Sequence, residues 1–217
     1  MTSGREAHLV ELVDEAGTAL GTRTVDEAHR SPGLLHRAFS VLLVAPDGRV
    51  LLQRRAAVKT RFPLRWANSC CGHPAPGQSP ERAARVRLRE ELGINPVPLT
   101  EVGVYLYRAE DPGTGRVEYE YDHVLRGEFD PDAVVLPDPD EVADLHWVHP
   151  AELRDRITAD PGSYAPWLGG VLGRFTGSGP AAGAVGVDLP DPGGRAAGAR
   201  TGPLGADHPA TERQGGR

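Results

Sequence analysis

One helix with both ends written into the sequence is the strongest local constraint on this chain. Ser79 offers a side-chain cap, Pro80 is preorganised for the first helical position, and Glu81 falls in the first turn. The run ERAARVRLREEL then stops at Gly93. The loop that feeds this helix, CGHPAPGQS, is rich in Gly and Pro. Around it lie strand-like segments: 8–14, Phe39 to Val44, Val50 to Gln53, Val102 to Tyr107, Val117 to Leu125 and Leu145 to Val148. The turn APDG between the second and third predicts a hairpin. Further, weaker helices are expected over 151–158 and 164–175. Strands mixed with a few helices predict a single α/β domain, a mixed β-sheet sandwiched between helices.

Composition sets the limits of that domain. The chain has 27 glycines and 20 prolines, well above the roughly 12% of an average protein. Residues 176–217 hold 11 of those glycines, 5 of the prolines and no aromatic residue. Too few large apolar groups remain there to offset the entropy of ordering, so 176–217 is expected to be a disordered Gly/Pro/Ala-rich tail and 1–175 the domain. The two cysteines are adjacent and exclude a disulfide scaffold. No apolar run reaches the roughly 18 residues of a membrane span, and the charged N-terminus does not read as a signal peptide. A soluble, cytoplasmic protein without a membrane partner is expected. Net charge −6 argues against a nucleic-acid partner. Among 24 basic residues, only Lys59 is a lysine.

Several constellations could carry chemistry. In a strand, Glu118 and Glu120 point the same way and could face one ion together. With His29, His36 and His73 they form a donor set suited to a divalent ion, although scattered histidines and paired carboxylates are common without one. Cys71 precedes Gly72 and His73 and follows several arginines, a setting expected to lower a thiol pKa. Arg54, Arg55, Lys59, Arg61 and Arg65 crowd a short stretch of an acidic domain and invite an anionic ligand or form a solvated face. Arg87 and Glu91 share a helix face as an i, i+4 pair. Trp66 is expected in the core, Tyr107 in core or site, and Trp167 in helix packing.

The loop and helix resemble the Nudix box of diphosphate-handling enzymes. Gly72, Leu88, Glu90-Glu91, Gly93 and Ile94 fit that box, whereas Gln78 stands for its early Glu and Val86-Arg87 for its Arg-Glu pair. This loss counts against a pyrophosphohydrolase. Together with HRSPGLLHRAFS, LLQRRAAVKTRFPLRWANSCCGHP, YRAEDPGTGRVEYE and APWL, the chain resembles the type I isopentenyl-diphosphate isomerases from about residue 8 to 175. The resemblance implies that isopentenyl diphosphate and dimethylallyl diphosphate are interconverted through a carbocation. Cys71 and Glu120 would be catalytic. His29, His36, His73, Glu118 and Glu120 would bind one divalent ion (Mn²⁺, Zn²⁺ or Mg²⁺). Glu91 and the main-chain carbonyl of Cys71 would hold Mg²⁺ with the substrate diphosphate. Arg55, Lys59 and Arg87 would pair with the diphosphate, Tyr107 would assist Glu120, and Trp167 would cover the isoprenoid group. Val25 and Thr60 stand where relatives can carry lysine. The rival expectations are a Nudix pyrophosphohydrolase and a non-catalytic module that binds a phosphorylated ligand. A monomer or weak homo-oligomer is expected.

Overall fold

The structure is a computed structural model that describes residues 2–95, 97–177 and 186–188. Its strands are β1 (Leu9–Val13), β2 (Ala19–Thr24), β3 (His36–Val44), β4 (Val50–Arg55), β5 (Trp66–Ala67), β6 (Cys70–Gly72), β7 (Leu99–Glu110), β8 (Val117–Glu128), β9 (Val142–Val148) and β10 (Gly186–Asp188). The α-helices are α1 (Val25–Ala28), α2 (Pro80–Leu92), α3 (Pro150–Ala159) and α4 (Leu168–Phe175). Among the described residues all ten strands join one mixed sheet. The remainder of the expected tail, 178–185 and 189–217, lies outside the described residues.

Alternation along the strands divides the interior in two. On one side of the sheet Phe39, Val41, Leu43 and Leu125 pack with Ala84, Leu88 and Leu92 of α2. On the other, Leu42, Val44 and Val124 pack with Leu153 of α3 and with Leu168, Val171 and Leu172 of α4. This is the expected sandwich. Helix α2 is capped as its sequence predicts: Arg82 N–H donates to Ser79 Oγ at 3.3 Å, and Gly93 closes the helix at φ 64°.

The predicted hairpin closes at its turn, where Ala45 N–H donates to Arg49 O at 2.9 Å, but its strands then diverge. β3 and β4 meet only at Val44 and Val50. β3 instead runs parallel to β8 from His36–Glu120 to Val44–Glu128 and antiparallel to β6, while β4 pairs with β9. Ser69 fills the gap between the diverging strands: its Oγ accepts from Leu43 N–H at 2.8 Å and donates to Leu51 O at 2.6 Å. The helix expected over 164–175 begins only at Leu168. Pro166 disfavours helical geometry at Ala165, and Ala165 N–H pairs with Trp66 O instead.

Candidate active site

The segment 68–73 distributes its side chains between the two sides of the sheet. Cys70 is fully buried toward α2, and Cys71 turns to the opposite side. Asn68 Nδ2 donates to Cys70 O at 2.6 Å, and its Oδ1 accepts from Trp167 Nε1 at 3.0 Å, which fixes the indole. A Cβ on Gly72 would lie 3.1 Å from the Phe39 ring, so a larger residue would crowd β3 at this point. His73 follows directly and reaches Glu120.

The five expected metal ligands converge. One ligating atom from each of His29, His36, His73, Glu118 and Glu120 lies within 4.8 Å of every other. Local structure aims them. Thr24 and Glu27 form a capping box that starts α1, and His29 caps its end. His29 Nδ1 is 2.7 Å from Val25 O, and His36 Nδ1 is 2.7 Å from Leu34 O. A ring nitrogen that donates to a carbonyl leaves Nε2 as the lone-pair donor. His29 Nε2 faces Glu118 at 2.8 Å and His73 Nε2 faces Glu120 at 2.9 Å. His36 Nε2 is buried without a hydrogen-bond partner, 3.6 Å from Glu120. A buried nitrogen left in that condition, among two more imidazoles and two carboxylates, fits a divalent ion. Burial, partly opposed by Glu120, brings His73 down to about 4, so it is neutral as a ligand must be. Burial works against ionised Glu118, but His29 and Arg61 outweigh it and hold this carboxyl well below the usual range.

Glu120 is shared with the proton-carrying groups. Tyr107, its register partner on β7, donates to Glu120 Oε2 at 2.6 Å. Burial, reinforced by Glu120, raises the phenol well above its ordinary pKa. Tyr107 stacks near Trp167, with centroids 5.9 Å apart, and Phe62 meets the same indole edge-on at 5.4 Å. Cys71 corrects the expectation of an acidic thiol. Burial pushes it up to about 12, Arg55 opposes this, and Glu91 adds to it. The neighbouring cations are real, with Arg55 Nη1 at 3.7 Å from Sγ, but desolvation wins.

A cavity of about 130 Å³ joins these groups; Cys71, His73, Tyr107, Glu118, Glu120 and Trp167 line it together with Arg55, Lys59 and Arg87. Every expected site residue except the buried Glu91, His29 and His36 therefore borders this space. Glu91 lies behind Arg87, which contacts it directly, and accepts from Gln53 Nε2 at 3.2 Å. The basic stretch is split: Arg54 is exposed, whereas Arg55, Lys59 and Arg61 face the site. Trp66 is only partly buried. Sequence reasoning missed Glu141, a buried carboxylate paired with Lys59 and Arg87. It lies far from both in sequence, and no local pattern marks it.

Comparison with known proteins decides the family. Residues 34–168 match the NUDIX domain family. A protein of Nocardia farcinica named isopentenyl-diphosphate Delta-isomerase is 65% identical over 163 residues, covering 75% of this chain and 91% of the relative. The chain belongs to the isopentenyl-diphosphate Delta-isomerases of the Nudix family. A Streptomyces coelicolor relative of the same name is 47% identical over 167 residues, 77% of this chain and 83% of its own length. A solved structure from Deinococcus radiodurans, 22% identical, superposes with a TM-score of 0.60 over 76% of this chain and 97% of that one, which bears on the fold alone.

Proposed function

We propose that this chain interconverts isopentenyl diphosphate and dimethylallyl diphosphate, with Cys71 and Glu120 as its acid–base pair. The observation that carries this reading is the convergence on one cavity of a thiol, a tyrosine-backed carboxylate, an indole face and a group of cations. Moving the double bond requires a proton at the terminal alkene carbon and removal of one from the allylic carbon. A tertiary carbocation lies between the two events, so a donor and an acceptor must both reach the five-carbon group. Burial pushes the Cys71 thiol up to about 12; burial and Glu118 work against ionised Glu120, but His36 and His73 outweigh them and bring it down to about 2, which favours one donor and one acceptor. Transfer from Cys71 to the alkene and from the allylic carbon to Glu120 leaves a thiolate and a carboxylic acid. Exchange with solvent after product release restores both, and the reverse reaction exchanges their roles. Tyr107 holds the Glu120 carboxylate in place and carries a further proton on that wall.

Trp167 covers the isoprenoid group, and its π-face stabilises the developing cation. The buried walls keep water from quenching it. Arg55, Lys59 and Arg87 pair with the diphosphate. His29, His36, His73, Glu118 and Glu120 would hold one divalent ion (Mn²⁺, Zn²⁺ or Mg²⁺), and Glu91 with the Cys71 carbonyl would hold Mg²⁺ beside the diphosphate. Such ions supply positive charge that keeps buried carboxylates ionised and screens the phosphates. We place the working domain at 1–175, as a cytoplasmic monomer or weak homo-oligomer.

A Nudix pyrophosphohydrolase is disfavoured by Gln78 and Val86-Arg87, because the loop and helix lack two carboxylates of the hydrolytic box. A purely binding module has no need of Cys71 and Glu120 together on one cavity. Incubation of metal-loaded protein with isopentenyl diphosphate, followed by NMR, separates the three. Dimethylallyl diphosphate supports the proposal; phosphate release, or binding without turnover, overturns it.

A further inference from the structure

The N-terminal segment ahead of β1 borders the cavity through Arg5 and His8 and brings a cation with no role assigned so far. Arg5 lines the cavity with Lys59 and Arg87. Its Nε lies 3.1 Å from Glu141 Oε1 and its Nη2 lies 3.4 Å from Glu90 Oε2. Neither contact uses Nη1. Glu141 thereby receives three cations, because Arg87 Nη2 lies 3.5 Å from the same Oε1 and Lys59 contacts Oε2. It is 6% exposed. One buried carboxylate that serves three cations orients them without neutralising them all, and burial strengthens each contact.

The next residue fastens the segment. Glu6 Oε1 accepts from Thr60 Oγ1 at 2.8 Å and from Arg61 Nη1 at 2.9 Å. Arg5 is therefore held at the cavity from both sides, by its own side chain and by its neighbour. Val25, which lines the same space and whose N–H donates to His8 O at 2.8 Å, offers no charge.

We infer that Arg5 is a further diphosphate-binding residue, delivered by the N-terminal strap and positioned with Lys59 and Arg87 by Glu141. The inference rests on the proposed function, since it presumes a diphosphate at this end of the cavity. A guanidinium with free N–H groups suits phosphate oxygens, and the three cations together present a convergent donor surface.

The test is calorimetric titration of the full chain with inorganic diphosphate in Mg²⁺ buffer, alongside steady-state kinetics. Arg5→Gln is expected to weaken diphosphate binding about tenfold and to raise KM with kcat nearly unchanged; Arg5→Lys, which keeps the charge, is expected to recover part of the loss. Glu6→Gln loosens the strap at its other anchor and leaves the guanidinium in place. Its loss of affinity is expected to be smaller. Affinity within twofold for Arg5→Gln, or an equal loss from Glu6→Gln, would overturn the assignment. If the unaltered chain binds no diphosphate, the functional reading fails with it.

Discussion

Tyr107 and Glu120 are register partners on β7 and β8, and the phenol donates to the carboxylate at 2.6 Å. On the other side of β8, Glu120 is the register partner of His36. The strand pairing alone therefore sets this carboxylate between a proton-bearing hydroxyl and an imidazole. Tyr107→Phe removes the donor and keeps the ring. Turnover should fall by about 10²-fold, with the melting temperature little changed, measured by kcat and thermal unfolding.

Cys71 and Glu120 should each be indispensable. Cys71→Ala and Glu120→Gln are expected to reduce turnover by about 10⁴-fold or more, while circular dichroism stays that of the parent. Near-normal turnover in either variant would mean its role is misassigned.

The His/Glu cluster predicts a tightly held ion. Elemental analysis of purified protein should find about one equivalent of a divalent metal, and His36→Ala should remove most of it. Chelation should lower the melting temperature, since an ion at 100 times its Kd adds about 2.7 kcal/mol to stability. Active protein without a bound ion would remove this cluster from the mechanism.

The indole makes a separable contribution. Trp167→Leu keeps an apolar side chain but loses the π-face, and a desolvated cation–π contact is worth about 2 kcal/mol. A fall in kcat of about thirtyfold is expected, larger than the change in KM. Because Trp167 Nε1 also bonds Asn68, Asn68→Ala tests positioning alone and should cost less.

Much of this site is legible in sequence because short-range rules govern it. The i, i+2 spacing of Glu118 and Glu120 places both on one strand face. Ser79, Pro80 and Gly93 define α2 without reference to the rest of the fold. The histidines needed the family resemblance, because nothing in the spacing of His29, His36 and His73 says that they meet. What escaped is non-local. The separation of β3 from β4 depends on β8, β6 and the Ser69 bridge, so the APDG turn could not disclose it. The arginines near Cys71 are visible in sequence, but the desolvation that outweighs them is not. Glu141 acquires its importance only when the fold brings Arg5, Lys59 and Arg87 to it.

The central claim is proton exchange at a five-carbon diphosphate, and solvent isotope reads it directly. Isopentenyl diphosphate should be incubated with the metal-loaded chain in D₂O and followed by NMR. The account predicts dimethylallyl diphosphate with deuterium in the newly formed methyl group, and deuterium entering recovered isopentenyl diphosphate as the reaction reverses. Inorganic phosphate release, or unchanged and undeuterated substrate, would contradict it.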